Sequence, residues 1–253
     1  MCEENGLVEK RNQLQDELDM WTSSLEELSV IEKSFDIANK KGKLRGKTIL
    51  DVGTDGVKPL YISLKYEPKK IISINDAHYS FASNLEHASR YFSKTKIKLE
   101  DCSWFSKERL NEILARENQN TFDFVLISKT LHHLRTGKCI AEKRDEEHKC
   151  RDDEKCCIYE FNPQEIFEGL LHYGKRVIIY EYYDAQEKDE DKVRGRGGYF
   201  TINEWNDIFS YLLENHRVKF IEPKIGHVDK EKLENVIAEI KLLDCICFYV
   251  ESK

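Results

Sequence analysis

The sequence predicts an α/β fold in which a parallel sheet is doubly wound by helices. Short apolar segments rich in Ile and Val alternate with amphipathic segments from about residue 44 onward, a pattern typical of parallel sheets. The 253 residues suffice to bury a core without disulfides or metal staples. A hydrophobic content of 40% with 11% aromatic residues excludes an intrinsically disordered chain.

Residues 1–43 are predicted to form an N-terminal helical arm that precedes an α/β domain of residues 44–253. Apolar residues recur at helical spacing through most of this segment, and Ser24 followed by Glu27 resembles a capping box. Two interpretations stay open. The arm covers the edge or mouth of the following domain, or it is a separate interaction module.

Seven strands separated by helices are expected in the α/β domain. The strands are Thr48–Val52, Ile71–Ile74, Ile97–Leu99, Phe122–Ile127, Arg176–Tyr180, Val218–Ile221 and Cys245–Val250. The helices are Pro59–Tyr66, Phe81–Phe92, Lys107–Glu117, one with Asn162 as N-cap and Pro163 first, one from the capping box Thr201–Glu204 to Leu213, and Lys230–Leu242.

Two charged segments interrupt this alternation, Arg135–Glu160 and Asp184–Gly198. Both follow the carboxyl ends of predicted strands, the edge at which open parallel sheets bind ligands. They are therefore either substrate loops or ordinary solvated surface loops. For the second segment, extended to Tyr199, the glycines and arginines favour a mobile lid over an acceptor pocket.

The first charged insertion, about 135–160, is also rich in thiols. It carries the potential zinc ligands Cys139, His148, Cys150, Cys156 and Cys157, but no pair has the C-x2-C spacing of a zinc knuckle. The alternatives are a zinc site and free thiols. Cys245 and Cys247 alternate along a predicted strand and are expected to be core or sheet-surface thiols.

Composition also limits the class of protein. The net charge of -7 gives no overall attraction to nucleic acid or to an anionic membrane. No apolar segment reaches the ~20 residues needed to span a bilayer, and the first residues do not resemble a signal peptide. We therefore expect a soluble cytoplasmic protein with reduced cysteines and no membrane partner.

The segment after the first predicted strand is the most informative for function. The strand delivers Asp51, and a glycine turn containing Gly53, Asp55 and Gly56 follows. Such a turn brings backbone close to a ligand. The G-x-G-x-x-G spacing of a nicotinamide or flavin site is absent, and an acidic residue two positions before the first glycine suits a cationic ligand instead.

Here the chain, from about Leu44 onward, resembles the class I S-adenosylmethionine-dependent methyltransferases. Asp51-x-Gly53 is similar to the family's first motif, whose acidic residue acts near the amino group of the cofactor's methionine moiety. The resemblance implies that Asn75 or Asp76 accepts the ribose hydroxyls, and that Asp101 faces the adenine amino group. One departure is clear: Asp55 stands where the family pattern has its second glycine.

The resemblance extends to the fourth and last strands. Phe122–Leu134, which includes Ser128 and ends in Leu-His-His-Leu, is similar to the family's fourth-strand segment. The final Ile-Cys-Phe-Tyr-Val segment matches the family's reversed seventh strand, which implies a seven-stranded mixed sheet with an antiparallel last strand. The cofactor-binding residues implied together are Asp51, Gly53, Asp55, Gly56, Asn75, Asp76, Asp101 and Ser128.

Methyl transfer requires a nucleophile held in line with the activated methyl group and, for oxygen or nitrogen acceptors, a base. The candidate bases at the predicted strand ends are His133 and Tyr182, with His132, Glu181 and Tyr183 beside them. For His133 the alternative is a buried histidine bonded to backbone beneath the cofactor.

The acceptor is expected to be a small molecule. The [DNS]-P-P-[YFW] motif that amino methylation of DNA bases usually requires in this superfamily is absent after the fourth strand. An RNA acceptor held by Lys58, Arg194 and Arg196 is the second hypothesis. The third is a methyltransferase-like binding protein without catalytic activity.

Overall fold

The computed structural model describes much of the predicted α/β domain and one residue, the helical Lys33, of the segment before it. The described residues are 33, 44–53, 57–75, 94–102, 104, 106–128, 130–134, 161–182, 200–222, 226–228, 230–240 and 245–253. The rest of the predicted arm, the helix Phe81–Phe92 and all of both charged segments lie outside these residues. The domain boundary at residues 43 and 44 therefore stays a prediction.

Eight strands of the described residues form one sheet. They are β1 (Thr48–Val52), β2 (Lys70–Asn75), β3 (Lys96–Asp101), β4 (Phe124–Ser128), β5 (Arg176–Tyr182), β6 (His216–Glu222), β7 (Gly226–His227) and β8 (Cys245–Ser252). All seven predicted strands are present within one or two residues of their predicted bounds. The sequence did not predict β7, which is only two residues long.

The strand order along the sheet is β3-β2-β1-β4-β5-β8-β6-β7. Strand β1 pairs in parallel with β2, and β2 with β3. Strand β8 runs antiparallel to β6, in a register that places Val218 opposite Val250. The mixed sheet and the antiparallel last strand are both confirmed.

Five helices are described, and two of them carry the predicted caps. They are α1 (Val57–Tyr66), α2 (Lys107–Arg116), α3 (Pro163–Tyr173), α4 (Ile202–Asn215) and α5 (Leu233–Ile240), with 3₁₀ turns at Leu131–Leu134 and Lys230–Lys232. The amide of Glu165 donates to Asn162 Oδ1 over 3.2 Å. Thr201 and Glu204 form a reciprocal capping box, with the Glu204 amide 3.1 Å from Thr201 Oγ1.

The chain divides into two compact units. Among the described residues, unit 1 contains those up to Leu126 together with Tyr173–Ile178, and unit 2 contains those within Ile127–His172 and Ile179–Lys253. Strands β4 and β5 contribute residues to both units. In unit 1 the strands supply fully buried residues, among them Ile49, Leu50, Ile71, Ile72, Phe124 and Val125. Each such burial contributes about 1.5–3 kcal/mol.

Asp123 aligns the starts of β1 and β4 in unit 1. Its carboxylate accepts hydrogen bonds from the amide of Thr48 at 3.0 Å and from Lys47 Nζ at 3.4 Å, and its amide donates to the Thr48 carbonyl. Burial acts to raise the pKa of Asp123, but the Thr48 amide and the ammonium groups of Lys47 and Lys175 outweigh it and lower the pKa.

Glu117 joins the end of α2 to two strands of unit 1. Its side chain is only 4% exposed and forms ion pairs with Lys70 at the start of β2 and Lys98 in β3. Burial acts to raise the pKa of Glu117, but the hydrogen bonds and charges of the two lysines dominate and lower it to about 2. The helix end is thereby fixed to the sheet.

Unit 2 has an aromatic core. Trp205 on α4 is fully buried and stacks on Phe209 with ring centroids 5.2 Å apart. Phe248 of β8 and Phe220 of β6 pack against Phe209 at 5.1 and 4.8 Å. Aromatic pairs of this kind each stabilise the fold by about 0.5–1.5 kcal/mol beyond the contribution of the apolar area that they bury. The cluster fixes α4 on the antiparallel strands of unit 2.

No helix in the described part of the chain is both long and apolar enough to cross a bilayer.

Candidate functional site

Asp51 occupies the carboxyl half of β1 and is 3% exposed. Parallel pairing places it opposite Ser73 of β2, and the Ser73 hydroxyl donates a hydrogen bond of 3.0 Å to Asp51 Oδ2. A buried carboxylate is stable only where donors or cations satisfy it. Ser73 therefore holds the Asp51 side chain in one orientation at this end of the sheet.

The predicted turn begins at Gly53, directly after β1. Gly53 has a φ of 73°, in the left-handed region that glycine adopts without strain, and its amide donates to the Ile74 carbonyl over 2.9 Å. The chain thus leaves the sheet next to Asp51 and enters α1 at Val57. Asp55 and Gly56 lie outside the described residues, so their predicted roles stay predictions.

Asn75 and Asp101 end the two neighbouring strands. They are paired in register across β2 and β3, and the amide of Cys102 donates to the Asn75 carbonyl over 3.0 Å. Adjacent strands are about 4.8 Å apart, so Asp51, Asn75 and Asp101 follow one another along the same edge of unit 1. Asp76, the alternative to Asn75, is outside the described residues.

Cys102 also lies at this edge, but its thiol is not suited to nucleophilic chemistry. It is buried, and this burial raises its pKa despite the opposing charge of Arg109. The thiol is therefore protonated at neutral pH. The contact of Ser73 with Asp51 is not predicted by the sequence, in which Ser73 is only marked as a polar residue within an apolar strand.

Lys58, in the first turn of α1, is the clearest correction to the sequence predictions in unit 1. It was assigned a surface contact with RNA, but its side chain is only 8% exposed. A phosphate contact requires an accessible cation. Lys58 is therefore a buried residue of α1, and the prediction that it contacts RNA is wrong.

In unit 2, polar residues again follow strand ends. Ser128 ends β4 and is 5% exposed, and its carbonyl accepts a hydrogen bond of 3.0 Å from Thr130 Oγ1. Glu181, near the end of β5, is fully buried. A buried carboxyl group at a strand end is typical of a functional site as well as of a structural network.

The two residues predicted to be catalytic are described through their backbones alone. His133 lies in the 3₁₀ turn Leu131–Leu134 that follows β4, and Tyr182 is the last residue of β5. The side chains of both, and that of His132, lie outside the described residues. Their roles as bases stay predictions.

No group of three or more His, Cys, Asp or Glu side chains that could hold a metal ion occurs in the part of the chain that the structure describes. The predicted cluster of Cys139, His148, Cys150, Cys156 and Cys157 lies outside that part. Cys245 is partly exposed and Cys247 is buried, as predicted for a sheet-surface and a core thiol that alternate with Ile246 and Phe248 along β8.

Searches with known families and with curated proteins gave no match. Comparison with solved structures gave distant similarities. Coclaurine N-methyltransferase bound to N-methylheliamine and SAH is 11% identical, with 92% of this chain and 75% of that chain covered and a TM-score of 0.49. The 16S rRNA methylase ArmA is 12% identical, with 98% and 97% covered and a TM-score of 0.47.

A third similar structure is 1,6-didemethyltoxoflavin-N1-methyltransferase from Burkholderia thailandensis, with its substrate and S-adenosylhomocysteine bound. It is 12% identical, with 99% of this chain and 89% of that chain covered and a TM-score of 0.47. These similarities are distant. The function proposed below is supported by the strand order and the site residues of this chain.

Proposed function

We propose that this protein is a methyltransferase that uses S-adenosylmethionine as the methyl donor. The observation that supports the proposal most is the buried Asp51 carboxylate, which lies two residues before a left-handed turn at Gly53 and is oriented by Ser73. It stands at the carboxyl edge of parallel strands, in a sheet whose last strand is antiparallel to β6.

The chemistry of the site residues fits the three polar parts of that donor. The Asp51 carboxylate would pair with the ammonium of the methionine moiety, a charge-assisted interaction of about 1.5–3 kcal/mol. Asn75 would bond the ribose hydroxyls, and Asp101 would accept from the adenine amino group. Gly53 leaves the backbone accessible because it has no side chain.

Side chains after β4 and β5 would handle the acceptor. When bound, the donor supplies a sulfonium that already activates the methyl group. The protein must therefore position the acceptor and remove its proton. We assign the proton transfer to His133 or Tyr182. The role of Ser128 in binding the donor stays a prediction.

A small-molecule acceptor is the first choice because the motif for amino methylation of DNA bases is absent. RNA as the acceptor is the second choice. Of the three residues predicted to hold it, Lys58 is buried and cannot contact a phosphate. A binding protein without catalysis is the third possibility.

Calorimetry of the full chain with S-adenosylhomocysteine is the first experiment. We expect one binding site per chain, and no detectable binding would refute the proposal. Methyl transfer from radiolabelled S-adenosylmethionine to panels of small-molecule amines, phenols and RNA then separates the three hypotheses. Binding without transfer to any acceptor would favour the non-catalytic protein.

His133→Ala and His132→Ala form a matched pair for the base once an acceptor is found. Loss of a general base slows turnover by about 100-fold or more, so His133→Ala is expected to do so with little change in affinity for S-adenosylhomocysteine. His132→Ala is the control. If the two variants turn over the acceptor at the same rate, His133 is not the general base and Tyr182 takes that role.

A further inference from the structure

The amino ends of β1, β2 and β3 carry a group of basic residues that the proposed reaction does not use. Arg45 lies just before β1, Lys69 just before β2, and Lys94 and Lys96 lie at the start of β3; all four side chains are exposed. We call these four residues the basic edge. All belong to unit 1, and they stand at the opposite ends of the strands from Asp51, Asn75 and Asp101.

Other cations near the same edge are already engaged in ion pairs. Lys47 and Lys175 lie 3.4 and 3.6 Å from the Asp123 carboxylate. Lys70 and Lys98 are paired with Glu117. Each of these four lysines therefore has an acidic partner that offsets its charge.

The basic edge differs in this respect. Among the described residues, the side chains of Arg45, Lys69, Lys94 and Lys96 form no ion pair or hydrogen bond. The nearby acids Asp123 and Glu117 are paired with those lysines, and Glu67, two residues before Lys69, adds one negative charge beside the four positive ones. Four exposed cations thus accumulate on one edge of a protein whose net charge is -7.

The backbone sets these cations in a row. Arg45 forms a β-bridge with Pro68, the residue before Lys69, and the amide of Lys96 donates to the Lys69 carbonyl over 3.3 Å. Each step from strand to strand therefore covers about 4.8 Å. A row of regularly spaced, flexible cations suits a polymer that carries one negative charge per unit.

The residues between the cations argue against a lipid surface. Leu44, Pro68 and Thr95 are buried, so this edge offers no described apolar side chain for insertion into a bilayer. Stable membrane attachment usually needs an apolar anchor in addition to basic residues.

From this row of four exposed cations, which outnumber the acid left beside them, we infer that the basic edge binds the phosphate backbone of RNA, as a docking surface separate from the methyl-transfer site. The surface does not depend on the proposed function, because none of its residues lies at the carboxyl ends of the strands. Backbone contacts of this kind position a nucleic acid without reading its sequence.

Fluorescence anisotropy of the full chain with fluorescein-labelled oligouridylate tests the inference. We expect binding that weakens as salt rises, with a slope of log affinity against log salt of about -0.7 per phosphate contact. The double variant Lys69→Glu/Lys96→Glu is expected to bind about 10-fold more weakly and to lower the slope by about 1.4.

The matched control is Lys107→Glu/Arg217→Glu, which makes the same change in net charge at two exposed residues of other elements, α2 and β6. It is expected to retain affinity within about twofold. Circular dichroism checks that both variants fold. Equal loss of binding in both variants, or no binding by the intact protein, would overturn the inference. Binding to phosphatidylserine vesicles but not to the RNA would also overturn it, in favour of a membrane surface.

Discussion

The two ends of strands β1 to β3 both carry charged side chains, yet they use them differently. At the amino ends, Asp123 and Glu117 accept hydrogen bonds from lysines that fix strand and helix positions. At the carboxyl ends, the buried Asp51 is held by the neutral hydroxyl of Ser73, beside a glycine turn. We infer that carboxylates at the amino ends serve the sheet and those at the carboxyl ends serve a ligand.

Substitutions at the two ends of the strands should therefore have different effects. Changes at the amino ends should lower the free energy of unfolding and leave donor affinity unchanged in the protein that remains folded. Changes at the carboxyl ends should lower affinity for S-adenosylhomocysteine with smaller effects on stability.

Gly174→Ala should have the largest effect on stability. Gly174 precedes β5 at the amino end, and an added Cβ would lie 2.4 Å from Val125 Cγ2 and 3.2 Å from the Val125 amide nitrogen. Overpacking against backbone costs about 3 kcal/mol. Urea unfolding measures the loss, and Gly46→Ala is the control. Gly46 has open space but a φ of 84°, so that variant is expected to lose only about 1 kcal/mol. Equal losses would contradict the packing explanation.

Glu117→Gln should have the next largest effect, and it should depend on pH. The pKa of Glu117 falls from 4.5 to about 2 in the folded protein. A depressed carboxyl pKa stabilises the fold above pH 4.5, and this contribution fades as pH falls towards 2. We expect a loss of about 2 kcal/mol at pH 7, and a smaller difference from wild type at pH 3.

The control for this prediction is Glu112→Gln, since the Glu112 side chain is 66% exposed and pairs with Arg109 on the same helix. Surface pairs contribute about 0–1 kcal/mol. A Glu117→Gln variant as stable as the Glu112→Gln variant at pH 7 would show that the link between α2 and the sheet has little energetic value.

Ser73→Ala should have the smallest effect of these substitutions, and the effect should be on the affinity for S-adenosylhomocysteine. It removes the hydroxyl that orients Asp51 but keeps the carboxylate, so affinity for S-adenosylhomocysteine should fall about fivefold, which corresponds to about 1 kcal/mol. Ser73→Thr, which keeps the hydroxyl, should restore most of it. If both variants bind equally well, Ser73 does not position Asp51 for the ligand.

The sequence predicts which segments form strands and helices more accurately than it predicts the residues at which they begin and end. Phe122 was expected in β4, but the strand begins at Phe124 because the Asp123 carboxylate bonds the Thr48 amide and Phe122 bridges to Gly174. Lys230–Lys232 was expected to be α-helical and forms a 3₁₀ turn. The first difference arises from tertiary contacts that periodicity does not encode, and the second is the 3₁₀ turn that is common at the ends of α-helices.

The same limit applies to the site. Strand alternation and the resemblance placed Asp51, Asn75 and Asp101 at strand ends, and the structure agrees. The Ser73 contact and the burial of Lys58 could not be predicted, because they depend on the register between β1 and β2 and on the packing of α1. A single sequence predicts the order of strands and helices, but not the register and packing that bring Ser73 to Asp51 and bury Lys58.

Two variants, Asp51→Asn and Asp123→Asn, test whether the carboxyl ends of the strands bind the donor. The measurement is their affinity for S-adenosylhomocysteine. Each variant removes one charge from unit 1 and keeps the shape of the side chain, at opposite ends of the same strands. By calorimetry, Asp51→Asn is expected to bind about 30-fold more weakly, through the loss of a charge-assisted bond of about 2 kcal/mol, and Asp123→Asn to bind as tightly as wild type. Wild-type affinity in folded Asp51→Asn would contradict the assignment of the carboxyl edge as the donor site.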